Sequence, residues 1–404
     1  MSAIPLDDAP VAGSASAVEA WHSAWADTMH FVGDPFATLA EANANDDSFA
    51  MGSLFCASYR LLGGVPPDDP AVQLDMERAA ARASSPRDRV HLEAVTSLRD
   101  GEVIEAALRW DDIAADTVDF AAVRLAHDAY LHVGEVDHRV ASGERARDQF
   151  SGRGAASFVA GQHAFSMEEA GHYDEAEQLG WQGLEADPLD LWALHALAHV
   201  YESTDDQEAA ISLLEGRAPT WTAQEGLAVH VHWHHALRLI AGGFTDEALA
   251  LFDRLVPDAG TPFRISDLSS LLWRLELVGV DVGDRWQLVA DRYAPRPERH
   301  TVGFLDLHMA FAFTRVPDHP EAASFFNGVA PSHADDPSEN GITFREVVVP
   351  LVEAIRRSPS EPTAAVELLD SVADRTHRIG GSIAQRDVLA ITRAALAQDE
   401  QDTT

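Results

Sequence analysis

The sequence predicts an all-α fold, and three observations carry that expectation. Apolar residues recur at three- and four-residue spacing in stretches such as "DEALALFDRLV" and "DEAEQLGWQGLEADP", the period of one helix face. Alternating β-branched runs are almost absent, and glycine and proline punctuate helical stretches rather than hairpins. A helix pair also repeats: "AFSMEEAGHYDEAEQLGWQGLEADP" places Gly171, Tyr173, Ala176 and Pro188 at the helix, turn, helix and proline offsets of a tetratricopeptide unit. The "EA" after the turn recurs at Glu208-Ala209, Glu247-Ala248 and Glu321-Ala322. The alanine steps are 33, 39 and 74 residues, the last being two steps of 37, and they bracket the usual period of roughly 34. The expected architecture is a tetratricopeptide-like helical-hairpin α-solenoid, a right-handed superhelix with a concave central pocket.

Taken in order, residues 1–17 ("MSAIPLDDAPVAGSAS" and the next alanine) read as a disordered lead-in with no basic segment before an apolar core, so not as a secretory signal. The stretches "AVEAWHSAWADTMHF", "SFAMGSLFCASYRLLGG" and "DRVHLEAVTSLRDGE" read as helices. The first helices of successive pairs are expected over 117–133, 155–170, 190–203, 225–242, 263–279, 302–315 and 341–357, with second helices filling the gaps. "GVAPSHADDPSENGI" is the best loop, and 399–404 a frayed tail. No stretch reads as a linker, so 18–398 is expected to form a single domain.

Composition narrows the functional classes. The net charge is −37, and all 29 basic residues are arginines, so the surface repels nucleic acid and anionic membrane. No run approaches the roughly 18 apolar residues of a membrane helix. One cysteine, Cys56, excludes an intramolecular disulfide and a cysteine-rich zinc site. A cytoplasmic location is the expectation. Any metal must use imidazole and carboxylate ligands.

"GLAVHVHWHHALRL" then stands out, with His230, His232, His234 and His235 in six positions. On a helix His230 and His234 share a face, His232 points elsewhere and His235 borders the shared face. "LWALHALAHVYES" repeats the i, i+4 pair as His195 and His199, with Glu202 further along the same side. His195, His234 and His308 each precede the "EA" alanine of their repeat by 14 residues, and His163 precedes its own by 13. Histidines therefore recur at one phase of successive first helices, which in such solenoids line the concave surface.

Two functional readings follow. His195, His199, His230 and His234 converge on a divalent metal, with Glu202 or Asp306 as a carboxylate partner. Alternatively, the histidines with Arg274 bind a polar or anionic small molecule, with His195, His234, His308 and Arg274 as catalytic acid–base groups and His127, His163, His199, His230, Asp306 and Arg386 as binding residues. Against both stands a bland reading, buried histidines satisfied by backbone and neighbours. A non-enzymatic scaffold with a peptide or protein partner in its groove is the rival from another class.

Ser266, Ser270 and Arg274 form an i, i+4, i+8 polar stripe, and "RLAHDAY" carries His127 and Asp128. Gly380-Gly381-Ser382, before a helix with Arg386 and Asp387, can receive an anion or simply turn and cap the helix. Trp181, Trp192, Trp221, Trp233 and Trp273 sit at helical spacings suited to core packing. No GxGxxG after a strand, Walker loop, HExxH or GxSxG is found.

The motifs "HDAYLHVG", "FSMEEAGHYDEAEQLGWQGLEADPLDLWALHALAHVYE", "HWHHALRLI", "SSLLWRLELVG", "FLDLHMAFAF" and "IGGSIAQRDVL" fall in one order from about Arg87 to the last helix. In this the chain resembles the tetratricopeptide repeat protein 38 family, also called StaR-like. Gln162 stands where that family often has methionine. The resemblance implies a helical solenoid, a pocket that includes His127, His195, His199, His234, Asp306, His308, Ser382, Gln385, Arg386 and Asp387, and, for members in natural-product clusters, an oxidative role.

Overall fold

A computed structural model of the chain describes residues 9–222 and 225–403. Its helices in chain order are α1 (Ala15–His30), α2 (Pro35–Asn45), α3 (Met51–Leu62), α4 (Pro70–Arg82), α5 (Pro86–Arg99), α6 (Val103–Asp116), α7 (Phe120–Val133), α8 (Val136–Phe150), α9 (Ala156–Glu169), α10 (Tyr173–Ala186), α11 (Leu191–Ser203) and α12 (Gln207–Gly216). There follow α13 (Ala218–Trp221), α14 (Glu225–Ala241), α15 (Thr245–Leu255), α16 (Pro262–Leu277), α17 (Arg285–Tyr293), α18 (Gly303–Arg315), α19 (Ala322–Ser332), α20 (Glu339–Thr343), α21 (Val349–Arg357), α22 (Pro362–Val372) and α23 (Ile383–Thr403). Among the described residues there is no strand, and no helix is long and apolar enough to cross a membrane.

Local chemistry explains where the helices start. Asp34, Asp69 and Thr261 each cap a helix whose first residue is proline, a residue that loses nothing by lacking an N–H there. Ser85 and Asp88 exchange side-chain and backbone hydrogen bonds in a capping box at α5. The six helices expected between 117 and 315 all form, within three residues of the expected ends.

Three expectations about irregular segments are corrected. The lead-in ends early: Ser14 caps α1 by accepting from the Ala17 N–H, so 15–17 are helical, while 1–8 lie outside the described residues. A third of "GVAPSHADDPSENGI", Gly328 to Ser332, belongs to α19 and its last four residues to α20, leaving only 333–338 between helices. The backbone stays helical to Thr403 rather than fraying at 399. Helix 341–357 is not uniform either, since a π-helical turn at Phe344–Val348 joins α20 to α21. Pro350 lies one residue into α21 and lacks the N–H that a regular ladder needs there.

The contacts divide into two compact units, 1–131 with 135–228, and 132–134 with 229–404. The division at 228/229 falls inside α14, so no linker marks it. In the first unit, α9 packs against α8, α10 and α11, and each of its residues from Ser157 to Glu169 is buried. A separate apolar cluster around Trp21, Trp25, Phe55, Trp110 and Phe120 forms the earlier core. In the second unit, α16 packs against α17, α18 and α23 around Trp233, Trp273, Phe311 and Val388. Of the five tryptophans expected in the core, Trp192, Trp221, Trp233 and Trp273 are buried, and Trp181 is half-buried.

Candidate functional site

The two histidine pairs lie one in each unit. In the first, Asp190 starts α11 by accepting from the Ala193 N–H at 3.0 Å, and the helix is buried from Leu191 to Tyr201. The helical pitch then sets His195 Nε2 3.0 Å from His199 Nε2, inside a shell that includes the rings of Phe165 and Trp192. α9 supplies the charge. Glu168 Oε2 lies 3.4 Å from His199 Nδ1, and Glu168 Oε1 accepts from the Ser203 hydroxyl at 2.6 Å. Burial presses the His199 pKa down, but Glu168, with Glu169 and Glu202, outweighs it and the net shift is upward. Glu168, Glu169 and His199, all buried, offer ligand atoms within 4.8 Å of one another.

The second unit repeats the arrangement. His230 Nε2 and His234 Nε2 lie 3.2 Å apart on α14, and His230 Nδ1 meets Asp267 Oδ1 of α16 at 3.0 Å. The Trp233 ring stacks on His230, and His234 is 1% exposed. His232 and His235 are only half-buried, and burial holds His232 at about 4.

The chemistry of each pair follows from these distances. The carboxylate beside one Nδ1 favours a proton there, which leaves that residue's Nε2 a lone pair. The partner Nε2 then carries the proton that the two rings share. Two nitrogens bound tetrahedrally to one zinc at about 2.0–2.1 Å lie roughly 3.3 Å apart, so each pair is close to the edge of a metal's ligand set. A carboxylate behind a ligating imidazole is the usual orienting partner in such sites.

Other expected site residues have structural occupations. Arg274 is spent on α23: Nη2 donates to Ala384 O and to Asp387, and Nε donates to Ser270 Oγ. Asp306 accepts from the His300 backbone N–H and from His300 Nδ1, which pins the turn where His300 takes a φ of 59°. His308 Nδ1 donates to Phe304 O, and burial holds its pKa at about 4. At the glycine pair, Ser382 Oγ accepts from Gln385 N–H and Gln385 Oε1 accepts from Ser382 N–H, a reciprocal capping box. Arg386 Nη1 donates to Gly381 O within the same turn. The capping function of "GGSIAQ" is therefore the one its geometry displays.

His127 and His163 are buried in the first unit with no hydrogen-bond partner at either ring nitrogen. Both are held neutral, His163 at about 4 and His127 well below its ordinary value, with burial the largest cause in each. Sequence reading missed Glu168, Glu169 and Asp267. The available signal was acidic residues on helix stretches otherwise composed for burial, and in Asp267 a position 37 residues after His230, one repeat step.

The class that these features define is an all-helical protein with buried histidine–carboxylate groupings. No family model matches the chain.

Proposed function

We propose that this is a tetratricopeptide repeat 38-like solenoid whose buried histidine sites bind a divalent metal, and through it a polar small-molecule substrate. One observation carries the reading: each i, i+4 pair sets two Nε2 atoms 3.0–3.2 Å apart with a carboxylate at an Nδ1. Buried histidines kept only for packing need neither the facing nitrogens nor the carboxylate. Imidazole and carboxylate donors suit zinc, or iron in the two-histidine, one-carboxylate set that leaves positions open for substrate. That donor set accords with the oxidative role the family resemblance implies. His195, His199, His230 and His234 are the proposed ligands, and His308 and Arg274 act from behind rather than on substrate. The repeats are proposed to wind right-handedly with these residues on the concave side.

The test is elemental analysis and zinc titration of the full chain, with circular dichroism alongside. The wild type should take up zinc saturably, and His195→Ala with His234→Ala should abolish uptake with helical content near native. A stoichiometry of one or two ions decides whether the four imidazoles serve a single ion, as their repeat phase suggests. No saturable uptake of zinc or ferrous iron by the wild type would sink the proposal. So would an equal loss of helicity in the variant, which marks the histidines as structural.

A further inference from the structure

α8 shows its inward stripe plainly: Arg139, Ser142, Gly143, Ala146 and Phe150 are its buried residues, at i, i+3, i+4, i+7 and i+11. An arginine therefore occupies a core position. Its guanidinium sits 4.7 Å over the Phe165 ring of α9, a contact that uses the face of the group and leaves its in-plane N–H donors unspent. Arg139 is 2% exposed, its Nε reaches no hydrogen-bond partner, and no described carboxylate pairs with it. Glu169 of α9 is the charge that acts on it most, without reaching ion-pair distance; of the next two acids, Asp128 holds Arg124 through two short contacts, and Glu168 faces Ser203 and His199.

The neighbours of Arg139 are unmatched as well. His127 of α7 feels Arg139 more than any other charge, and both its ring nitrogens lack partners. Arg124 Nη1, Ser142 Oγ, the whole Gln162 amide and both nitrogens of His163 are buried without partners too. These side chains lie on three consecutive helices, α7 to α9. Buried polar atoms are nearly always hydrogen-bonded, so a concentration of unmatched donors around a core arginine marks a place built for something else.

We propose that Arg139 and His127 bind the oxyanion of a small molecule, a carboxylate or phosphate group, inside the first unit. A guanidinium fork matches either group with two parallel hydrogen bonds, and Arg124 Nη1, Ser142 and the His127 N–H supply further donors. Arginine has no acceptor, so a cation cannot be the guest. Gly143 brings the two helices together: a Cβ there would lie 2.6 Å from the His163 ring, and without it α8 approaches α9 closely. This site stands whether or not the histidine pairs hold a metal, because none of its donors is a proposed metal ligand.

The experiment uses the full chain, metal-free, with inorganic phosphate and acetate as probes and sodium chloride at matched ionic strength as the control. The wild type should show saturable binding of at least one probe by calorimetry. Its melting midpoint should rise by roughly 3 °C at about 100 times Kd. Phosphate alone, or acetate alone, identifies the class of oxyanion. Arg139→Met should lose that rise, measured against the variant's own melting point without anion, because the apolar chain offers no donors. His127→Phe should weaken binding about tenfold. Absence of saturable binding of both probes to the wild type overturns the proposal without any variant. Retention of the full rise in Arg139→Met also overturns it.

Discussion

His199 illustrates how one side chain acquires a role from its surroundings. Its Nε2 is fixed by a local relationship, the helical offset to His195, whereas its charge preference comes from Glu168 on another helix. Asp267 does the same for His230. If these carboxylates orient ligating imidazoles, Glu168→Gln and Asp267→Asn should each weaken zinc affinity about 10–100-fold while leaving the number of ligands unchanged. A competition titration with a zinc chelator measures this, and affinity unchanged in both variants would show that the acids are bystanders. The two arginines give the converse lesson. Arg274 lies on a visible polar stripe yet is occupied by Ala384 O, Asp387 and Ser270. Arg139, unremarkable in sequence, is the buried guanidinium whose Nε finds no partner.

At the scale of the element, helices and their starts are legible because capping and periodicity act within a few residues. Six first helices fall within three residues of their expected ends. The misjudged segment, 328–342, fails for a related reason: glycine, proline and aspartate suggest a loop, but packing on neighbouring helices carries α19 through Pro331. Asp190 shows a cap in conflict with its setting. It caps α11, yet burial raises its carboxyl pKa to about 7. A raised carboxyl contributes stability below its unfolded pKa near 3.8 and loses it as pH rises through 7. Asparagine keeps the cap without the charge. Asp190→Asn should therefore match or exceed wild-type stability at pH 8, while Asp190→Ala loses about 1 kcal/mol of cap. Chemical denaturation at pH 5 and 8 checks both, and an Asn variant as weak as the Ala variant at pH 8 would contradict the account.

The whole molecule sums these local choices. His127 and His163 in the first unit and His308 in the second are buried neutral, with pKa values held below the ordinary 6.5 chiefly by burial. A depressed histidine contributes stability above its unfolded pKa and loses it as pH falls from 6.5 towards about 4. His30, raised by its hydrogen bond to Asp187, and His199, raised by Glu168 against its burial, work in the opposite sense, as does Asp190; these are outnumbered by the depressed histidines, which His232, held at about 4 by burial, joins. The net charge of −37 counts the 19 histidines as neutral, and it becomes less negative below pH 6.5 as the accessible ones protonate, which eases self-repulsion and offsets part of that loss. The denaturation midpoint should thus fall from pH 7 to pH 5, with protons taken up on unfolding. A flat profile across that window would mean the buried histidines are not neutral.

What the sequence by itself determined was everything local: the all-helical class, the helix positions, the i, i+4 pairs, and the division of "HVHWHH" into facing and non-facing histidines. Each rests on the 3.6-residue period and on caps read within one turn. Only the tertiary structure decided which acids back the histidines, which arginine is hydrogen-bonded across helices, that Asp306 holds His300, and that Ser382 and Gln385 cap a helix. Those outcomes depend on partners tens of residues away, brought near by packing of buried faces. Periodicity reports which face of a helix is buried, but not what the facing helix places against it.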